Sequence, residues 1–228
     1  GYKIYTSIDM DKQNALQQAV DDELASYTDL DDDGTYDMQG AGVSIDNSTG
    51  YVVAIVGGRN QDFTSYTLNR AYQSHRQPGS SIKPLLVYTP CFERGYDPDT
   101  IVDDHKFEGG PSNATKTYAG KVKLRYAVAQ SLNTVAWQLY DQLTPGMNFT
   151  GIVKDDYTLA TSLGGFTKGV SPLEMAAGFA TIENDGMYRE PTCIKTIIDS
   201  DENVVYASQM TEVSIYEQDA ARMMTDVL

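Results

Sequence analysis

A serine and a lysine three residues apart, Ser80 and Lys83, are the side chains of this sequence best placed for chemistry. In the run Arg-Gln-Pro-Gly-Ser-Ser-Ile-Lys-Pro at 76–84, a proline and a glycine precede the serine, and an apolar run follows. This predicts a sharp turn into a helix, with the serine in its first turn. Residues three apart share one helix face, so the Lys83 amine can reach the Ser80 hydroxyl. A neutral lysine there can accept the hydroxyl proton and activate the nucleophile.

A second polar pair, Ser131 and Asn133, lies between two apolar helical patterns. Such a serine could relay a proton between Lys83 and a leaving amine, and the asparagine could orient the lysine or hold a substrate amide. Ordinary helix capping explains the same residue types, because Ser and Asn are preferred cap residues. A Ser-x-x-Lys tetrad also occurs on plain helix surfaces, so neither pattern identifies a site by itself.

The elements that must position these residues are those of an α/β (α+β) protein. Strands are predicted at 2–8, 41–45, 51–56, 192–198 and 203–206, and helices at 10–27, 80–94, 172–184 and 215–228, with a further pair within 124–143. Asp9 is the predicted cap of the first helix and Gly95 that of the second helix's end, and Ser171 and Glu174 have the pattern of a capping box before the third. The strands 41–45 and 51–56 are joined by turn residues and predict a hairpin at the centre of a sheet. The stretches 60–74, 97–117 and 141–151 are predicted loops. We expect one domain over 1–228, because no repeat or linker interrupts it.

Composition excludes several classes of function. The net charge of -15 argues against nucleic-acid binding, which needs clustered cations. No apolar run approaches the ~18 residues of a membrane span, and no signal peptide is visible. An anchor or export signal, if the intact protein has one, is expected outside these residues.

No metal or cofactor site is predicted. Cys91 and Cys193 are interpreted as buried thiols rather than a disulfide, and no His/Cys cluster suggests zinc. An acidic loop matches part of a calcium-binding loop, at Asp29, Asp31, Asp33, Gly34 and Asp37. Its twelfth position, which should be glutamate, is Gly40, so a solvated acidic turn is the favoured interpretation.

Several further runs occur in one order along the chain, at 5–9, 48–50, 57–59, 69–71, 76–84, 131–134, 162–165 and 168–176. With them the sequence resembles the transpeptidase domain of a class A (bifunctional) penicillin-binding protein, a family whose Ser-x-x-Lys motif is well known. The resemblance implies a penicillin-binding protein/serine β-lactamase-like transpeptidase fold, a mostly antiparallel sheet flanked by helices with an all-helical subdomain.

The resemblance also implies an activity and its partners. Ser80 would attack the D-Ala-D-Ala end of a peptidoglycan stem peptide, Lys83 would act as base, and Ser131 and Asn133 would complete the catalytic set. An amine of a second stem would take the acyl group, and β-lactam antibiotics would acylate Ser80. Cell-wall synthesis machinery and a membrane anchor outside these residues would be the remaining partners, at the extracytoplasmic face of a bacterial membrane.

The family's third motif, Lys-Thr/Ser-Gly, is not found in these residues. Thr167-Lys168-Gly169 has the wrong order, and Lys195-Thr196 is followed by Ile197. We therefore expect a sequence truncated before that motif, which supplies one oxyanion donor, and we expect residues 1–228 alone to be inactive. Alternatives are a β-lactam-binding sensor, or a D,D-carboxypeptidase or serine β-lactamase-like hydrolase in which water accepts the acyl group.

Overall fold

A computed structural model of the chain describes residues 1–32, 34–59, 67–141 and 153–228. The strands are β1 Lys3–Thr6, β2 Gly42–Ile45, β3 Val52–Val56, β4 Ile101–Asp104, β5 Gly120–Lys123, β6 Met187–Arg189, β7 Ile194–Ile198, β8 Val204–Ala207 and β9 Glu212–Ser214. The α-helices are α1 Met10–Glu23, α2 Arg70–Gln73, α3 Thr89–Glu93, α4 Leu124–Ala129, α5 Asn133–Asp141, α6 Pro172–Glu183 and α7 Gln218–Val227. A π-helical segment spans Pro84–Tyr88, and 3₁₀ segments span Gly79–Ile82, Lys154–Asp156 and Leu159–Leu163.

These elements form two compact units that are each assembled from distant segments. The first contains Gly1–His75, Ser171–Ala180 and Arg189–Val213. The second contains Arg76–Val170, Thr181–Tyr188 and Ser214–Leu228, and therefore holds every residue predicted to take part in chemistry. The prediction of one domain over 1–228 stays a prediction.

The first unit contains the antiparallel hairpin that the turn residues predicted, β2 with β3, and a three-stranded antiparallel sheet. β1 pairs with β7 and β7 with β8, and β2 pairs separately with β3. The expectation that β2 and β3 lie at the centre of a sheet was wrong for the part of the chain that the structure describes, where they form a two-stranded sheet. Local turn chemistry specifies a hairpin, whereas its sheet neighbours depend on distant strands.

Two predicted helix starts agree with the structure, whereas α1 ends at Glu23 rather than at 27 and α7 begins at Gln218 rather than at 215. α1 begins after Asp9, whose carboxylate accepts hydrogen bonds from the backbone of Asp11 and Lys12. α6 begins with the predicted capping box, in which Ser171 and Glu174 bond each other's backbone N–H groups. Such caps are local side-chain-to-backbone contacts, which explains why the sequence alone predicts them.

Regular structure occurs in two stretches that the sequence predicted to be loops. α2 lies within 60–74, and β4 lies within 97–117, where it pairs with β5. Both elements are four residues long and lie among polar, Asp, Pro and Gly residues that are typical of loops. The third predicted loop, 141–151, lies outside the described residues from 142 onward.

The second unit is mainly helical around a buried apolar core. Fully buried side chains of this core include ones from the segments that follow Ser80 and from α4, α5 and α7: Ile82, Leu85, Val87, Leu124, Ala127, Val135, Ala136, Ala221 and Met224. The helix predicted from Ser80 ends at Glu93, with Arg94 as its C-cap and Gly95 next, as the sequence predicted.

The structure also bears on membrane spans, on the two cysteines and on the acidic loop. No described helix has the length and apolar character needed to cross a membrane. Cys91 is buried, Cys193 is half-buried, and both are free thiols. Asp33 of the acidic loop lies outside the described residues, and the residues that are described contain no cluster of three metal-ligating side chains.

Candidate active site

The turn that carries Ser80 is fixed by backbone contacts on both sides. Arg76 and Val170 exchange a pair of backbone hydrogen bonds, of 3.0 and 2.8 Å. The Gln77 side chain donates to the carbonyl of Phe166 at 3.1 Å. The segment 166–170 therefore holds the chain just before Ser80.

Glycine is required at two facing positions of this turn. Gly79 has φ +59°, a left-handed conformation that other residues adopt at a cost. A Cβ on Gly164 would lie 2.4 Å from the backbone nitrogen of Gly79, so the two backbones touch directly. Ser80 follows Gly79 in the 3₁₀ segment, with its side chain exposed. The predicted nucleophile thus lies on a turn held by backbone contacts and faces outward.

The helix after Ser80 departs from α geometry at two prolines. In the π-helical segment, Thr89 donates both its backbone N–H and its hydroxyl to the carbonyl of Pro84, the hydroxyl at 2.8 Å. In that register the carbonyl of Leu85 would accept from residue 90, but Pro90 has no N–H. The hydroxyl of Tyr216 replaces that donor, at 2.7 Å from the Leu85 oxygen. π-helical turns frequently mark functional sites.

Lys83 is buried and its amine is held by three oxygens. Its side chain is 1% exposed. Its Nζ lies 2.6 Å from the carbonyl oxygen of Ser131, 3.0 Å from the Ser131 hydroxyl and 2.7 Å from Oδ1 of Asn133. Burial lowers the pKa of Lys83 from 10.5 to about 8. The lysine therefore has a usable neutral fraction near neutral pH.

The three oxygens around Lys83 differ in what they can do. The Ser131 carbonyl and the Asn133 amide oxygen accept hydrogen bonds but cannot donate them. A neutral amine has two N–H groups, which these two oxygens occupy. Its lone pair is then directed at the third partner, the Ser131 hydroxyl, which can donate a proton. This arrangement allows a proton to pass between Lys83 and Ser131.

Ser131 itself has a strained backbone, with φ +50°. Its N–H donates to Val128 and the N–H of Leu132 donates to Ala127, at 2.9 and 3.0 Å. These bonds make a Schellman motif at the end of α4, in which Ser131 occupies the position that glycine usually takes. Strain of this kind often occurs at functional sites.

Asn133 begins α5, and its side chain is held at both ends. Its Oδ1 accepts from Lys83, and its Nδ2 donates to the carbonyl of Ser112 at 2.8 Å. The side-chain oxygens of Ser131 and Asn133 thus both face the Lys83 amine. Helix capping by these side chains, the alternative that the sequence left open, does not describe these contacts.

The structure brings Lys83, Ser131 and Asn133 together and leaves the Ser80 hydroxyl apart. The backbone N–H of Lys83 donates to the carbonyl of Ser80, so the two residues share one helical turn. Within the described part of the chain, the Ser80 hydroxyl forms no hydrogen bond, and the expected contact with the Lys83 amine is not made. The reason is that the amine is already occupied by the turn between α4 and α5.

Sequence reasoning missed the residues that support Asn133. Asp104 and Asn113 are both buried and are linked by a hydrogen bond of 2.7 Å. Asn113 also accepts the backbone N–H of Asn133 at 2.8 Å. Both residues lie in the stretch predicted to be a loop, where Asp and Asn are ordinary turn residues, so no local signal distinguished them.

Comparison with known proteins gives matches along the whole chain. The model of the penicillin binding protein transpeptidase domain matches residues 40–155 and 144–228. Penicillin-binding protein 4 of Bacillus subtilis (strain 168) is 35% identical over 218 residues, which cover 90% of this chain and 33% of that protein. Penicillin-binding protein 1A/1B of the same organism is 33% identical over 242 residues, covering all of this chain and 25% of that protein.

A solved structure gives the same result for the fold. The PonA1 protein from Mycobacterium tuberculosis, in complex with penicillin V, aligns with a TM-score of 0.79 at 22% identity, covering all of this chain and 63% of that one. This likeness confirms the predicted fold. The chain spans about a quarter to a third of the length of the curated relatives it matches.

Proposed function

Because the chain belongs to the penicillin-binding protein transpeptidase family, we propose that it carries the serine acyl-transfer site of a D,D-transpeptidase that cross-links peptidoglycan stem peptides. The observation that carries this proposal is the buried amine of Lys83, held between Ser131 and Asn133 with a lowered pKa. A buried lysine with a lowered pKa, next to an exposed serine and a second hydroxyl, is suited to acyl transfer.

In the proposed mechanism, Ser80 Oγ attacks the carbonyl between two terminal D-alanines. Its proton passes to neutral Lys83 as the C–O bond forms. Collapse of the tetrahedral intermediate breaks the C–N bond, and the proton moves from Lys83 through Ser131 to the departing amine. An amine of a second stem then attacks the acyl-enzyme and gives a proton to Lys83. The ester C–O bond breaks, and the proton returns from Lys83 to Ser80 Oγ. Asn133 keeps the lysine aligned throughout and has a second amide proton for the substrate.

The proposed partners follow from the same chemistry. β-Lactams acylate the serine because their strained amide resembles the D-Ala-D-Ala end, and a relative of this fold, PonA1, has been solved with penicillin V. Stem peptides and cell-wall synthesis machinery place the protein at the extracytoplasmic face of a bacterial membrane.

The test is acylation by a fluorescent penicillin, applied to the intact gene product that contains this sequence. We expect labelling of the wild type and its abolition in Ser80→Ala, because no other residue is proposed to form the ester. Ser81→Ala is the matched control, since Ser81 is the adjacent exposed serine, and it should still be labelled. Labelling of Ser80→Ala would show that the nucleophile is another residue.

Two further measurements separate the proposed activity from its alternatives. A stable penicilloyl adduct together with cross-linked product supports a transpeptidase; rapid deacylation would indicate a hydrolase, and a stable adduct without product would indicate a sensor. Residues 1–228 alone contain no Lys-Thr/Ser-Gly motif. We expect them to label at least about 10²-fold more slowly, the effect of losing one oxyanion donor.

A further inference from the structure

We propose that Asp104 and Asn113 are positioning residues for acyl transfer: they fix the start of α5, and with it the amide of Asn133 that holds Lys83. The inference rests on the proposed function, because it concerns the same lysine. Neither residue touches Ser80 or Lys83 through any contact that the structure describes, so each acts through Asn133.

Asn113 uses all of its hydrogen-bonding capacity to hold α5. Its Oδ1 accepts from the backbone of Asn133 at 2.8 Å and of Thr134 at 3.4 Å. Its Nδ2 donates to Asp104 Oδ1 at 2.7 Å and to the carbonyl of Thr117 at 3.0 Å. The first N–H groups of a helix have no partner within the helix. Asn113 supplies that partner from a distant part of the chain and fixes where α5 begins.

Asp104 holds the side chain of Asn113 by accepting a hydrogen bond from its amide. Its side chain is 1% exposed, and its oxygens accept from the Thr134 hydroxyl, from Asn113 and, at 2.7 Å, from the backbone of Ala119. Burial alone would raise the pKa of Asp104, but the hydrogen bonds from Thr134, Ala119 and Asn113 lower it below its ordinary value. A buried carboxylate held by neutral donors is costly, which argues for a role beyond stability.

The contacts form a continuous path from this carboxylate to the base. Asp104 bonds Asn113 and Thr134, Asn113 bonds the backbone of Asn133, and Asn133 Oδ1 accepts from Lys83 Nζ at 2.7 Å. Because a carboxylate can only accept, Asp104 fixes the orientation of the Asn113 amide and of the Thr134 hydroxyl. Misplacing a reacting group by about 1 Å can cost about 10²-fold in rate.

The experiment measures penicillin acylation and the titration of Lys83 in the intact gene product. For Asn113→Ala we expect an acylation rate constant about 10- to 100-fold below wild type. We also expect the midpoint of its pH dependence to rise above about 8, because water that enters beside the loosened α5 favours the charged amine. NMR of the Lys83 Cε in [¹³C]lysine-labelled protein should report the same rise.

A matched control separates positioning from loss of stability. Ser171→Ala removes a helix cap worth about 1 kcal/mol in the first unit and none of the contacts of Lys83. It should keep both the wild-type rate and the wild-type midpoint. An Asn113→Ala rate within twofold of wild type with an unchanged midpoint would overturn the proposal, as would an equal loss in Ser171→Ala.

Two variants with conservative substitutions, one single and one double, keep the proposal testable if Asn113→Ala does not fold. Asp104→Asn retains shape but places an amide N–H against existing donors, and it should lose about 10-fold in rate, the effect of a partial misplacement. Asp104→Asn combined with Asn113→Asp reverses the polarity of the shared hydrogen bond and should recover at least part of the rate and the Lys83 midpoint. A double variant no better than the single one would contradict the assignment. The NMR titration needs no acylation, so it decides the positioning role even if penicillin fails to label the wild type.

Discussion

The two turns that carry the serines are built in opposite ways. Before Ser80, the left-handed position is occupied by Gly79, at φ +59°, and backbone contacts from Gly164 and Val170 fix the turn. At the second turn the left-handed residue is Ser131 itself, at φ +50°, and the buried Lys83 amine contacts both its carbonyl and its hydroxyl. A glycine would relieve the strain there but would remove the hydroxyl.

The difference shows that the Lys83 amine, and not the Ser80 hydroxyl, is held in position before a substrate binds. The Ser80 hydroxyl is exposed and forms no hydrogen bond within the described residues, so it is free to approach a substrate. Lys83 is buried and has three partners. The protein thus holds the proposed base, Lys83, in place and leaves the proposed nucleophile, Ser80, open to solvent. Substitutions at three positions test this comparison.

Replacing the base should have the largest effect. In Lys83→Met we expect acylation to fall by roughly 10³-fold, within the range attributed to a positioned acid or base. In the wild type the rate should rise with pH through about 8, because the neutral amine is the active form. Relative to a pKa of 10.5, this shift raises the neutral share at pH 7 roughly 300-fold. The Lys83→Met profile should lack this rise.

Lys121→Met is the control for that variant, since Lys121 is exposed and should give the wild-type rate and midpoint. A Lys83→Met profile that still rises through pH 8 would assign the titration to another group and break the contrast between the two turns.

Two substitutions at Ser131 separate the effect of its backbone strain on stability from the effect of its hydroxyl on acylation. Ser131→Ala and Ser131→Gly both remove the hydroxyl, so both should lose about 10²-fold in acylation rate. Only glycine relieves the strain of the left-handed backbone, which costs roughly 1–2 kcal/mol in other residues. The greater freedom of glycine in the unfolded chain offsets about 0.5–1 kcal/mol of that gain in stability. Ser131→Gly should therefore melt at a higher temperature than Ser131→Ala. A Gly variant that acylates like the wild type would remove Ser131 from the mechanism.

The smallest expected effect is a loss of stability in the π-helical segment that follows the Ser80 turn. Tyr216→Phe leaves the Leu85 carbonyl without a donor and should cost about 1–3 kcal/mol in stability. Burial raises the pKa of Tyr216 well above its usual value, so the hydroxyl stays a donor at all working pH values. Thermal melting measures the loss. Tyr206→Phe, at a tyrosine 43% exposed, should not change the melting temperature. If both variants melt alike, Leu85 finds another donor.

Much of the fold was predictable because its signals are local. The cap at Asp9, the capping box of Ser171 and Glu174, and the end of the Ser80 helix at Gly95 all involve neighbours in sequence. The structure confirmed each of them. The short elements α2 and β4 were missed, since distant partners rather than periodicity stabilise them.

The candidate site divides in the same way. Spacing predicted that Ser80 and Lys83 share one turn, and residue type drew attention to Ser131 and Asn133. Neither spacing nor residue type could predict that the amine of Lys83 contacts Ser131 and Asn133 rather than the Ser80 hydroxyl. That choice depends on how the turn between α4 and α5 packs against the Ser80 helix, and on the support of Asn113 from another stretch of chain.

The sequence by itself determined the chemical groups, their order along the chain and the family to which they belong, because residue type and spacing are linear properties. The tertiary structure decided their states. It buried Lys83 and so lowered its pKa, and it surrounded the amine with three oxygens. It also forced Ser131 into a left-handed backbone and placed the Asp104 carboxylate next to Asn113. Burial, strain and hydrogen-bond direction arise only when distant segments pack together, and so only the folded chain specifies them.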